Sequence, residues 1–114
     1  MIPFRRRLTP EQRRSEKERI THHCTDRVPV IVEVGSRETP QSDREKFLVP
    51  CDLTAAQFIF VLRKRIRLTP RDALFLLVDN AVPKATTTMK ELYDRHAEED
   101  GFLYVTYTTE STFG

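Results

Sequence analysis

The chain closes on Phe113-Gly114, and this terminal glycine is the residue whose type and place most suggest covalent chemistry. Without a Cβ, a glycine carboxylate can be threaded through a narrow enzyme channel, activated and transferred with little steric hindrance. Glycine makes up ~7% of residues in ordinary proteins, so the ending alone decides little. Cys24 and Cys51 have neither metal-ligand nor redox-motif spacing and read as packing or surface thiols. His22-His23-Cys24 resembles a metal cluster only on paper, because three adjacent side chains on a helix point in different directions. A solvated helix end is the better reading. Paired carboxylates, a nucleophile elbow and a glycine-rich phosphate loop are all missing from the sequence, which contains three glycines. The expectation is a chain that is not an enzyme and uses no metal or cofactor.

Composition bounds what must position that glycine. At 114 residues, 39% hydrophobic and 32% charged, the chain suits one domain with a modest core. Its longest apolar runs, 58–62 and 73–78, fall far short of the ~20 residues that cross a bilayer. Ile2-Pro3-Phe4 is followed by Arg5-Arg6-Arg7 rather than by the apolar stretch of a secretory signal. A cytoplasmic protein is expected, with its thiols reduced. Within residues 1–20, Arg5, Arg6, Arg7, Arg13, Arg14, Lys17 and Arg19 outnumber Glu11, Glu16 and Glu18, while the whole chain carries a formal net charge of +2. Such a basic segment suits acidic peptides, phosphate head groups or nucleic acid, or is simply a solvated helix face. Aromatic residues interleaved with the basic ones would favour nucleic acid, and they are lacking, so no nucleic-acid partner is expected.

Thr9-Pro10-Glu11-Gln12 opens a helix with a capping box and proline at its first position, and the helix should span residues 9–23. It is charged nearly all round, with Ile20 its main apolar residue, and so should lie across the outside of a domain. Val28-Pro29-Val30-Ile31-Val32-Glu33-Val34 reads as a central strand covered on both faces, and 46–49 as its hairpin partner. Thr54-Ala55-Ala56-Gln57 repeats the capping box before a core helix to about residue 66, in which Ala55, Phe58, Ile59, Leu62 and Ile66 form the buried stripe. Residues 74–78 form a short strand, 89–96 a short helix and 102–108 the last strand. A hairpin, a helix packed across it and two further strands make an α+β, β-grasp arrangement with an N-terminal helical extension. The domain is expected over 9–108, after a basic N-terminal arm at 1–8 that is free to be disordered and before a flexible tail at 109–114.

Six ordered motifs, Arg13-Arg14-Ser15-Glu16, Asp26-Arg27-Val28-Pro29-Val30-Ile31-Val32-Glu33, Lys46-Phe47-Leu48-Val49-Pro50, Asp52-Leu53-Thr54, Arg63-Lys64-Arg65-Ile66 and Gly101-Phe102-Leu103-Tyr104, carry a resemblance. The chain resembles the autophagy ubiquitin-like modifiers, in the style of the GABARAP-like branch. The resemblance implies a ubiquitin-like fold and conjugation of Gly114, through ubiquitin-type activating and conjugating enzymes, to phosphatidylethanolamine on autophagosomal membranes. Two acyl chains would hold a domain that has no anchor of its own far better than the single chain that gives marginal binding. Most members carry residues after the glycine that a cysteine protease removes, and such a protease is also implied for delipidation. This chain is therefore either made ready for activation or shown in processed form.

The resemblance also implies capture of Trp/Phe/Tyr-x-x-Leu/Ile/Val peptides of cargo receptors as an added strand, by a monomer. Its aromatic pocket would be lined by Glu16, Ile20, Pro29, Ile31, Lys46, Leu48 and Phe102, and its aliphatic pocket by Phe47, Val49, Pro50, Leu53, Phe58 and Val61. Arg27, Lys46 and Arg65 would meet acidic residues beside the motif. Cys24-Thr25 departs from the family's aromatic-proline pair, which implies a looser joint between outer helix and sheet. The competing reading is an unlipidated β-grasp scaffold that binds acidic partners such as tubulin through its basic arm.

Overall fold

The computed structural model describes residues 2–110. Gly114, the expected conjugation residue, lies outside the described residues. The element order is α1 (Phe4–Arg7), α2 (Pro10–Thr21), β1 (Arg27–Val34), β2 (Lys46–Pro50), α3 (Ala55–Arg63), β3 (Phe75–Leu77), α4 (Met89–His96) and β4 (Leu103–Thr108). Both capping boxes form: the Thr9 side chain accepts from the Gln12 N–H while the Gln12 side chain accepts from the Thr9 N–H, and Thr54 and Gln57 do the same. The core helix α3 stops sooner than its apolar stripe implies. Lys64 and Arg65 bond back to Val61 and Leu62, three residues away, so the last turn tightens while Ile66 still reaches the core.

The strands form one sheet in the order β2-β1-β4-β3. The β1–β2 hairpin and the β3–β4 pair are antiparallel, while the central pair β1–β4 is parallel. Parallel pairing at the centre requires cover on both faces, which explains why β1 reads as continuously apolar. Strand alternation then divides the core in two. Val28, Val30, Val32, Phe47, Val49, Leu103 and Val105 pack with Ala55, Phe58 and Leu62 of α3 and Met89 and Leu92 of α4. Ile31, Phe102 and Tyr104 pack on the opposite face with Phe4, Leu8 and Ile20. The outer helix α2 thus contributes Ile20 to a small cluster while burying no residue fully.

Within the arm, residues 2–8 include the short helix α1, which packs against the sheet. Phe4 is 2% exposed, and its ring meets Phe102 edge-on at 5.3 Å. Burying one Phe side chain is worth ~2–3 kcal/mol, enough to fold a short arm against the sheet. Arg5 adds an ion pair to Glu33 at 2.9 Å and stacks over the Tyr104 ring at 4.0 Å. Just after β4 the Thr109 N–H donates to Thr39 Oγ1 at 2.9 Å, and Thr39 is itself buried. Residues 74–78 serve the core, since Leu74, Leu76, Leu77 and Val78 are all buried. Asp79 and Asn80, with φ of 50° and 64°, close a tight turn in which Val78 and Ala81 bond to each other.

Candidate functional site

Strand β2 has a partner on one side only, because it ends the sheet. Its ladder with β1 decides which backbone groups face outward. The Val32 N–H donates to the Glu45 carbonyl and the Cys51 N–H to the Asp26 carbonyl, so the hydrogen-bonded pairs include Val28 with Val49 and Val30 with Phe47. In an antiparallel ladder the intervening residues turn their groups the other way, which leaves Lys46 and Leu48 offering N–H and C=O along the open edge. Pro29 sits opposite Leu48, in a non-hydrogen-bonded pair where its missing N–H costs the hairpin nothing. An extended peptide could add to this edge.

The free chain covers part of that edge itself. Arg44 Nε donates to the Lys46 carbonyl at 2.9 Å, and Arg27 Nη1 to the Leu48 carbonyl at 3.3 Å. Arg44 also lies over the Phe47 ring at 5.3 Å. Guanidinium caps of this kind blunt an edge against indiscriminate pairing. Sequence reasoning singled out Arg27 but missed Arg44, whose only signal was its place two residues before Lys46.

The residues of the expected aromatic pocket lie on one face. Ile31 and Phe102 are wholly buried, Pro29 is buried, and Glu16, Ile20, Lys46 and Leu48 are half-buried at the rim. Phe4 and Tyr104 join the same cluster, and both were missed; a lone aromatic in a basic arm was the available signal for Phe4. Glu16 accepts from Arg19 Nε at 2.6 Å and from the Lys46 ammonium, tying α2 to β2. These bonds, that of Arg19 first, hold the Glu16 carboxyl well below its usual range, at about 2. Behind the rim, Asp100 accepts from the Phe102 N–H at 3.0 Å and the Tyr104 hydroxyl at 2.5 Å, with Arg13 Nε in ion-pair contact at 3.3 Å. Burial, helped by Asp100, pushes the Tyr104 phenol above its ordinary range, so it stays a neutral donor.

The expected aliphatic set, Pro50 apart, lies on the other face. Phe47, Val49 and Phe58 are buried, with the rings of Phe47 and Phe58 edge-on at 5.5 Å, and Leu53 and Val61 pack partly buried against them. Pro50 is half-buried at the end of the strand. Of the three expected charge contacts, Lys46 is paired with Glu16 and Arg65 loosely with Asp43 at 3.9 Å. Arg27 has no ion-pair partner among the described residues.

Comparison with known proteins places this geometry. The family model described as autophagy protein Atg8, ubiquitin like, matches residues 12–114. The chain belongs to the Atg8 family. It is 46% identical over 112 residues to autophagy-related protein 8 of Mycosarcoma maydis, covering 97% of this chain and 95% of the relative. Autophagy-related protein 8B of Oryza sativa subsp. indica is 48% identical over 107 residues, covering 93% and 90%. Among solved structures, Trypanosoma brucei ATG8 superposes with a TM-score of 0.89 at 38% identity, over 100% of this chain and 99% of that one. Plasmodium falciparum Atg8, solved with a peptide of Plasmodium falciparum Atg3, gives 0.87 at 31% identity, over 97% and 98%. The Atg8 fold accounts for the sheet order, the two outer helices and the ubiquitin-like core together.

Proposed function

We propose that this Atg8 family member is a ubiquitin-like modifier whose Gly114 carboxylate is activated, passed to a conjugating-enzyme cysteine and joined to the amine of phosphatidylethanolamine. The observation that carries this reading is the family match over residues 12–114, which runs through the terminal glycine. The relative solved with an Atg3 peptide supports a conjugating-type partner for this chain as well. Among the described residues no helix is long and apolar enough to cross a membrane, so a covalent lipid is the route by which the chain would reach an autophagosomal surface. The chain acts here as the group transferred, not as the catalyst.

Its second activity is capture of aromatic-x-x-aliphatic receptor peptides along β2. The peptide backbone replaces the arginine caps at Lys46 and Leu48. The aromatic anchor enters between Ile20, Ile31, Leu48 and Phe102, the aliphatic one against Leu53, Val61 and Phe58, and flanking acids meet Arg27. The scaffold alternative is disfavoured because two of the arm's three arginines are already engaged: Arg5 with Glu33 and Glu98, and Arg7 with Glu45.

The test uses the purified chain and its Gly114→Ala variant, each incubated with the family's activating and conjugating enzymes, ATP and phosphatidylethanolamine vesicles. Intact mass should reveal a phospholipid adduct on the Gly114 chain alone. No adduct on either, with the enzymes active on a known substrate, overturns the modifier reading.

A further inference from the structure

A cavity of about 290 Å³ opens at the joint between α2 and the sheet, and both cysteines of the chain line it. Three cationic side chains, Lys17, Arg27 and Lys90, share its wall, and no carboxylate does. Lys17 and Lys90 pair with carboxylates outside the cavity, Glu18 at 3.7 Å and Asp94 at 2.5 Å, while Arg27 retains an unpaired charge among the described residues. Two thiols that read as unrelated in sequence are thus brought to one half-buried, positively lined space.

Cys51 is the better-held thiol. Its N–H donates to the Asp26 carbonyl at 3.0 Å and its carbonyl accepts from the Lys90 N–H at 3.1 Å, so its backbone is fixed from both sides. Asp26 and Cys51 continue the β1–β2 ladder by one hydrogen-bonded pair, so Cys51 stands opposite Asp26 and one residue beyond the Arg27–Pro50 pair. Cys24 follows the end of α2, its N–H turned back to Thr21.

We propose that this cavity is a site of reversible thiol modification, in which Cys51 takes a thiol group from a small disulfide carrying carboxylates. The Cys51 thiol gives up its proton to water, and the thiolate attacks one sulfur of the incoming disulfide. A new S–S bond forms to Cys51 as the old one breaks, and the departing thiolate takes up a proton, so one disulfide is consumed and one formed. The cations supply selectivity by drawing the carboxylates of the reagent into the cavity. The site needs no metal and does not involve Gly114, and it shares Arg27 with the peptide edge.

Oxidised glutathione is the probe, and the dicationic disulfide cystamine is its counterpart of opposite charge. The full chain is exposed to each, adducts are located by peptide mass mapping, and each rate is divided by that of the urea-unfolded chain to remove intrinsic reactivity. The expected result is one glutathionyl group on Cys51, absent in Cys51→Ser. After normalisation, glutathione disulfide should be preferred over cystamine by several-fold, and Arg27→Gln should narrow that preference. Circular dichroism of each variant checks that it is folded. An adduct on Cys24 alone, equal normalised rates for the two reagents, an internal Cys24–Cys51 disulfide as the end product, or no reaction would each overturn the proposal.

Discussion

At the scale of single residues, Leu48 and Glu16 carry separable parts of the candidate site. Leu48 is half-buried at an edge, so truncating it leaves the main core untouched while removing a wall of the aromatic pocket. Leu48→Ala should weaken a Trp-x-x-Leu peptide by about tenfold, ~1.4 kcal/mol, with little change in the denaturation midpoint. Unchanged affinity by calorimetry would remove Leu48 from the site. Glu16 acts through charge. Its folded pKa of about 2 lies below the 4.5 of the unstrained group, so its contribution to stability is complete above pH ~4.5 and fades as pH falls toward 2. The difference in unfolding free energy between wild type and Glu16→Gln should therefore be level at neutral pH and shrink across that window. A difference independent of pH would mean that the bonds from Arg19 and Lys46 do not form in solution. Arg27→Glu should weaken peptides with acidic flanks selectively, because Arg27 is the expected contact with no carboxylate partner among the described residues. Equal loss for neutral-flanked peptides in the same titration would argue against a charge role.

At the scale of elements, local chemistry made most of the structure legible. The two capping boxes marked the starts of α2 and α3, and β-branched residues marked β1, because both signals act within a few residues of the chain. What escaped the sequence depended on contacts distant along the chain. Phe4 in the arm finds Phe102 at the start of the last strand, and nothing local to either residue announces the pair. Arg44 caps a carbonyl only because β2 ends the sheet, and Cys24 and Cys51 share a cavity only because the β1–β2 ladder extends by one pair. The arm therefore becomes a test of packing. Phe4→Ala should lower the unfolding free energy by ~3 kcal/mol, toward the low end for a deleted core aromatic because a short arm can undock. The fall should be visible in urea denaturation with an unchanged slope. No loss would mean that the arm contributes nothing to the fold.

At the scale of the whole molecule, the sheet order separates the two proposed activities. The tail leaves from β4, next to the centre, and is drawn toward the 36–39 loop by the bond from Thr109 to Thr39, whereas the peptide edge is β2, two strands away. Neighbouring strands lie about 4.8 Å apart, so roughly 10 Å of sheet stands between them. A domain fixed to a membrane through its tail can then leave β2 facing solvent, with the pockets on either face of that strand unobstructed. It follows that lipidation should not consume the peptide site. The affinity for a Trp-x-x-Leu peptide, measured for the chain anchored on vesicles and for the free chain, should agree within about twofold, and Gly114→Ala should leave the free chain's affinity unchanged. A marked loss on anchoring would mean that the tail or the bilayer reaches β2, and the modifier would then have to release one activity to perform the other.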